Sequence, residues 1–508
     1  MDEKEISVDV SDNNNESPPL DWRVWSIFIS LGLLSFISCL ESTILVPVLP
    51  SISKALNGST SSALWTGSAY LLTVAVFNTL IGGLSEEFDH RKLLLISISL
   101  FCIGALICSV SHSMTPFLVG RAIQGTGGGG MRALVNMIPT AMVSLRQRPA
   151  AIMLTQVGYM AGSILGPIVG GFIGEYTTWR WIFYLNFPLC GLVLPVVVFV
   201  MKDRNDKERS FADKIRRLDW IGAILFLASI CSLLIGVMWG GEQFPWRSWH
   251  TLLPIACGAF GLIVALLWEG YGSSAPFIDL SSFKVPSANA IYAGGFLQGL
   301  LLYCQLYYLP VYFEGVRGYS SSHTGLAYLP VTCTMIIASL ASGILMRKIP
   351  RLRWMIIAGW TLAALSSGLL FLFNAAFETY KWVLVFLVSG FGHGILVITL
   401  NYAIQVVAAG PRIGLAVSMY TFLRSLGMCI GVSTTSTLLQ NSLRSHGSQT
   451  GVESSLMQMT DLAAHPDLPP ALLNSFQYMC AVVTGVSALG LVLSFVFATP
   501  KIERIGQA

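Results

Sequence analysis

Along most of the chain, apolar residues run in stretches of about twenty, each closed by a short polar or charged turn, which is the length a helix needs to cross a bilayer. About fourteen such stretches are present, at 24–48, 63–84, 92–111, 116–139, 150–173, 181–200, 220–239, 251–269, 289–313, 324–346, 354–373, 381–400, 414–438 and 478–498. The pattern predicts an all-α membrane protein. The charged stretch from Lys202 to Asp219 divides it into a disordered tail at 1–23, a six-helix block at 24–200, a basic linker at 201–219, two additional spans within 220–288, a second six-helix block at 289–499 and a short tail at 500–508. A faint repeat supports the division. Gly82-Gly83-Leu84 followed by Arg91-Lys92 has a counterpart in Gly343-Ile344-Leu345 followed by Arg347-Lys348. Duplicated halves are a common transporter plan, with the substrate site between them near the midplane.

Composition makes lipid the required solvent: 54% of the 508 residues are hydrophobic, only 11% are charged and the mean hydropathy is +0.67. The net charge of +4 is small and its basic residues sit in short clusters, so no nucleic-acid partner is implied. Arg91 and Lys92, Arg146 and Arg148, the run from Lys202 to Arg217, Arg347 to Arg353, and Lys501 with Arg504 all fall on one side. The positive-inside rule makes that side cytoplasmic, with both termini on it. The ten cysteines lie inside apolar runs and read as small hydrophobes, with no disulfide or metal framework. The longest outer loop is expected at about Asn441 to Asn474, and Asn57-Gly58-Ser59 in the first outer loop fits a glycosylation pattern.

The candidate chemistry lies where polar residues interrupt spans. Glu41 in LESTILVPVLP stands in the first span, where a carboxylate must face the protein interior, be paired or be protonated. It can therefore take up and release a proton during transport, or serve as a buried hydrogen-bonding group. Arg121 interrupts the fourth span, with Gln124, Gly128 and Arg132 on nearly its own face. An arginine does not lose its proton, so its expected part is to hold Glu41 ionised until a proton or substrate displaces it. The fifth span carries Gly162, Gly166, Gly170 and Gly174 at intervals of four, a face without side chains that another helix can approach closely, and Pro167 permits a local bend. In the ninth span Gln298, Gln305 and Tyr312 recur at intervals of seven, and His393 and Arg424 lie in the middle of later spans. His393 is a second candidate proton carrier; no acid partner for Arg424 is evident.

With these residues the sequence resembles the major facilitator superfamily, and within it the fourteen-span drug:proton antiporter family. LESTILVPVLP is similar to that family's first-span motif, with Glu41 in place of the usual Asp and Pro47 in place of the usual Asn. GGLSEEFDHR resembles the superfamily's loop motif, keeping Gly82, Leu84, an acid at Glu86 and Arg91, with Asp89 and His90 departing from it. Arg121, Gln124, Gly125 and Gly127 match the fourth-span motif, and Gly162, Gly166, Pro167, Gly170 and Gly171 match the antiporter motif. WRWIFYLNFP, LDWIGA, LPVYFEGVRGYS and FLRSLGMCIGV, the last containing Arg424, are similar to further family stretches.

The resemblance implies two six-helix bundles with two extra central spans, and proton coupling through Glu41, Arg121 and His393. It implies a substrate cavity bearing Gln124, Gln298, Gln305 and Tyr312 in one chamber, and gating or packing roles for Gly82, Glu86, Arg91, the fifth-span motif and Arg424. The function it implies is proton-driven export of amphipathic drugs, toxins or secondary metabolites by a monomer in the plasma membrane. The partners are then the small-molecule substrate, protons and the lipid bilayer, and a proton gradient replaces any cofactor or metal. A same-fold transporter of an iron chelate or a basic amino acid, in the vacuolar membrane, is the alternative. Against an enzyme, the sequence holds no His/Glu zinc motif, no paired catalytic carboxylates and no nucleotide-binding Gly-Lys loop.

Overall fold

The structure is a computed structural model and describes residues 21–58, 60–143, 148–201, 219–241, 244–272, 283, 285–319, 321–348, 352–374, 378–408, 413–450 and 468–497. Residues 1–20 and 498–508, the basic linker at 202–218, Ser59 and the side chain of Glu86 lie outside the described residues, and the tail expected to run to 23 ends sooner, since α1 already begins at Trp22. Fourteen long helical segments make up the described part: α1 (Trp22–Thr43), α2 (Thr60–Glu87), α3 (His90–Val110), α4 (Met114–Met142), α5 (Arg148–Tyr176), α6 (Trp181–Val200), α7 (Trp220–Trp239), α8 (Trp249–Tyr271), α9 (Pro286–Pro310), α10 (Leu329–Lys348), α11 (Leu352–Leu369), α12 (Thr379–Val407), α13 (Ile413–Thr450) and α14 (Leu468–Phe497). The hydrocarbon interior requires this: only helices and closed barrels satisfy their own backbone groups there.

Twelve of these segments are long and apolar enough to cross a membrane on their own account; α4 and α9 are not. Their polarity is tolerated because both lie inside the bundle. α4 carries Arg121, Gln124 and Arg132, all buried, and α9 carries Gln298 and Gln305, also buried. α8 stands at the other extreme, with Leu252, Leu253, Phe260, Ile263 and Leu267 all more than half exposed, as a lipid-facing helix should be. One expectation is corrected at the far end. The loop expected at Asn441–Asn474 is helix at both of its described ends, where α13 continues to Thr450 and α14 begins at Leu468, while 451–467 lie outside the described residues. No proline stands between Asn441 and Thr450 to stop the helix.

The packing repeats itself. In the first half α1 lies on α5, and α2 and α3 both lie on α4; in the second half α9 lies on α13, and α10 and α11 both lie on α12. The halves meet along two matching seams, α2 on α13 and α5 on α10. The repeat in the sequence marks these seams. Gly82 faces Ser418 of α13 with no room for a Cβ, and its counterpart Gly343 faces Met153 of α5. The central pair of helices is held together by Asp219, which caps α7 at Gly222 N (2.8 Å) and accepts from Trp268 Nε1 of α8 (2.9 Å). Among the described residues the pair meets the rest through α7, which touches both α2 and α13, and through Gly240 just beyond it, whose carbonyl accepts from Thr437 (3.3 Å).

Glycine sets the closest approaches. On α5, Gly158 and Gly162 face the α1 backbone, Gly166 faces Thr43 at its end and Gly170 faces Ile44 just beyond it, while Gly171 is buried and Pro167 sits within the helix. On the other side of the molecule Gly299 of α9 meets the backbone of α13, and Gly427 and Gly431 of α13 meet that of α9. The run Gly127 to Gly130 lets α4 fit between α2 and α3. Small residues at helix interfaces are the membrane's substitute for a hydrophobic driving force.

A Cβ at Gly166 would stand 2.9 Å from Thr43 Cβ and 3.1 Å from Ile44 N, whereas at Gly191 of α6 nothing lies within 4 Å. Gly166→Leu should therefore destabilise by about 1–3 kcal/mol or more, and Gly191→Leu by about 0.5 kcal/mol or less. Thermal unfolding of the two variants in one detergent checks this; equal midpoints would show that the α1–α5 contact carries no special weight.

Candidate functional site

The polar residues singled out in the spans fall into three clusters rather than one chamber. The first lies within the first half. Glu41, fully buried near the end of α1, pairs through Oε1 with Arg121 Nη1 of α4 at 2.5 Å and accepts from Asn186 Nδ2 of α6 at 2.7 Å. Arg121 also donates to Gln124 Oε1 (2.7 Å) and to the Thr66 carbonyl (3.1 Å), and its guanidinium sits 4.4 Å from the centre of the Tyr70 ring. Each charge is thus held on several sides, as a buried ion pair must be to persist in a low-dielectric interior. Gln124 belongs to this knot; among the described residues no hydrogen bond joins it to the glutamines of α9.

The second cluster lies within the other half. His393 Nε2 of α12 is 3.1 Å from Gln305 Oε1 of α9, which also accepts from Ser389 Oγ (3.4 Å), while Gln305 Nε2 donates to Ser367 of α11 (3.4 Å). Gln305 and Ser389 border a small internal cavity of about 30 Å³. Tyr312, in the π-helical turn Val311–Val316 that continues α9, donates to the Asn374 carbonyl (2.8 Å) and packs on Phe313, Phe373 and Phe476. The intervals of seven therefore do not give one substrate-facing stripe: the three residues find partners in different neighbours of α9.

The third cluster is where the halves meet. Tyr159 of α5 has the Arg132 guanidinium of α4 at 5.3 Å and that of Arg424 of α13 at 5.2 Å from its ring centre. Its hydroxyl is 3.2 Å from that of Tyr303 of α9, which in turn is 3.1 Å from Ser42 Oγ of α1. Arg132 reaches across to Ser425 (3.4 Å), and Arg424 Nε donates to Gln298 Oε1 (2.9 Å). Arg424 has a glutamine and a tyrosine where an acid was sought.

Further bridges close the interface on both sides of this layer. Towards the end where α1 begins, Asn401 donates to Asn136 (3.1 Å) and Ser418 to the Asn78 carbonyl (3.4 Å). Towards the other end, Tyr307 donates to the Ser42 carbonyl (3.1 Å). A cleft of about 720 Å³ opens at the first of these ends, lined by Asp21, Ser85, Asp89, Met137, Thr140 and Ile413 among others. None of the residues singled out for a substrate cavity lines it.

Of the remaining residues, Arg91 donates to the Val198 carbonyl at 2.6 Å, tying the start of α3 to the end of α6. Asn57 is exposed and has a left-handed backbone (φ 51°), a conformation asparagine tolerates. Asn186, Tyr70, Tyr159 and Tyr303 were missed in the sequence. Asn186 stands in the WRWIFYLNFP stretch, and a polar side chain inside an apolar run was the available signal.

The sequence pattern of the Major Facilitator Superfamily matches residues 31–432. The chain is 35% identical over 423 residues to "MFS transporter L2" of a Phoma species, covering 83% of this chain and 71% of that one. It is 28% identical over 509 residues to "Efflux pump FUS6" of Gibberella fujikuroi, covering 97% of this chain and 91% of that one. To the "Acurin A biosynthesis cluster MFS-type transporter" of Aspergillus aculeatus it is 28% identical over 485 residues, covering 95% and 87%. The crystal structure of the human organic anion transporter MFSD10 (TETRAN) aligns with a TM-score of 0.59 at 16% identity, covering 94% of this chain and 100% of that one, which speaks to fold alone. With its all-helical, twice-repeated architecture, the chain belongs to the Major Facilitator Superfamily, as a multi-pass membrane protein.

Proposed function

We propose that the chain is a proton-coupled exporter of amphipathic small organic molecules, drugs, toxins or secondary metabolites, working by alternating access as a member of the fourteen-span antiporters. The observation that carries the coupling is the fully buried Glu41, held by Arg121 and Asn186 from two other helices. The export direction is supported by the relatives' names, several of which are efflux pumps. The membrane is the plasma membrane, with both termini in the cytoplasm.

In this reading Glu41 carries the proton. While ionised it binds Arg121 and fixes α1 against α4. Protonation from the outer side removes the charge that Arg121 faces, weakens the link between these helices and accompanies substrate release. Deprotonation towards the inner side restores the pair. His393 is assigned a packing role instead, since its hydrogen bond is to the neutral amide of Gln305, so that its protonation would break no ion pair of the kind that Glu41 makes with Arg121.

The reading is tested by efflux of a fluorescent amphipathic dye from vesicles carrying the chain, driven by an imposed proton gradient. Glu41→Gln should abolish gradient-driven efflux at matched abundance, and His393→Gln should retain it; intact efflux in Glu41→Gln would remove Glu41 from the coupling.

The ion pair itself makes a second prediction. Arg121→Met leaves the Glu41 carboxylate buried without its cation and should cost about 3–5 kcal/mol. The double variant Glu41→Leu with Arg121→Met should recover most of the thermal stability without recovering gradient dependence. Failure of the double variant to recover stability would show that the pair is needed for assembly as well as coupling.

A further inference from the structure

The layer between the halves has an excess of hydrogen-bond donors. Arg132 and Arg424 are 8% and 7% exposed, and Gln298 is fully buried. Arg132 Nε and Nη2, Arg424 Nη2 and Gln298 Nε2 are buried without any hydrogen-bond partner. The orientation of the Gln298 amide is fixed, because its oxygen accepts from Arg424 Nε, so its free end is the donor. Neither arginine has a carboxylate partner among the described residues: their bonds go to Ser425, Met428 and Gln298, and their charges rest on Tyr159.

This differs from the arrangement around Arg121, where the same residue type is met by an acid and two further acceptors. A buried guanidinium without an anion is costly, and an aromatic face offsets only part of that cost. Unpaired buried polar groups are rare in folded proteins and call for an occupant. These four atoms are all donors and two of the three side chains are cations, so the group that would satisfy them is an acceptor with negative charge.

We infer that the seam between the halves binds organic anions, with a carboxylate or similarly acidic group of the cargo received between Arg132 of α4 and Arg424 of α13. The inference deepens the export reading and rests on it for the statement that the bound molecule is cargo. One arginine comes from each half, so an anion bound to both links the halves across Tyr159, and the rest of an amphipathic molecule meets the adjacent Tyr159, Tyr303 and Met428 side chains. A cationic cargo would meet two positive charges with nothing to oppose them. The forked donors of arginine match a planar carboxylate better than any other side chain does.

The test uses the purified full chain in lipid nanodiscs, titrated with 1-pyrenebutyrate and with 1-pyrenebutyramide, which share ring and chain and differ in charge. The wild type is expected to bind the acid at least about tenfold more tightly than the amide. Arg132→Gln and Arg424→Gln, each verified to be folded by thermal unfolding, should bring that ratio close to one. A wild type that binds both probes equally, or neither, overturns the inference, as does an acid preference that survives in both variants. Should the variants fail to fold, the wild type carries the test alone. Phenylglyoxal modification of Arg132 and Arg424, read by mass spectrometry, should be slowed by the acid and not by the amide; equal protection by both overturns it. Arginine-dependent acid binding without gradient-driven efflux of the acid would keep the anion site and discard the exporter.

Discussion

The hydrocarbon interior of a bilayer offers no water, so each polar group that this chain places there must be satisfied by the chain itself. That constraint orders the whole molecule. It sends the most polar helices, α4 and α9, to the interior and leaves α8, with its exposed Phe260 and Ile263, at the periphery. It also explains why Glu41 is surrounded by Arg121 and Asn186 drawn from two further helices, since one partner would leave carboxylate lone pairs empty. Helix packing follows the same logic. With no hydrophobic gain from burying leucine against leucine in lipid, the close contacts are made where glycine permits backbones to touch. The α1–α5 and α9–α13 pairs are the result.

Against that background the layer of Arg132, Tyr159 and Arg424 is an exception, and its location is not accidental. The Glu41–Arg121 pair is neutralised inside one half; here two charges from opposite halves share one aromatic ring. A transporter must be complete as a fold yet incomplete at its binding site, because affinity for cargo requires groups that the empty protein leaves wanting. The unpaired donors stand at the plane where the two halves meet, which is where the proposed cycle would make use of such incompleteness.

Much of the fold was legible because its signals are local. The lengths of apolar runs gave the helices, and Gly82 with Gly343 revealed a repeat whose meaning became visible only when both were found on the seams between halves. Glu41 and Arg121 stood out because ionisable residues in spans demand partners, and they proved to be each other's. The direction in which a side chain points was less legible. Gln298, Gln305 and Tyr312 share a spacing, yet one meets Arg424, one His393 and one an aromatic cluster, because α9 is surrounded and each turn has a different neighbour. No acid partner for Arg424 is legible in the sequence because its neighbours are Gln298 and Tyr159. Asn186 and Tyr159 escaped notice because a single polar residue in an apolar run does not disclose which helix it faces.

The central pair of helices breaks the symmetry that the repeat imposes. α7 packs over the α2–α13 seam through Phe226 against Phe422 and Trp239 against Trp65, so that seam is covered. The matching α5–α10 seam has no such cover among the described residues, and Leu165, Ile337 and Ile344 on its two helices are exposed. Two boundaries that match in the packing of their helices are thus unequal in their surroundings: one is upholstered with protein and the other with lipid. A molecule dissolved in the bilayer approaches a body that has, in effect, a front and a back.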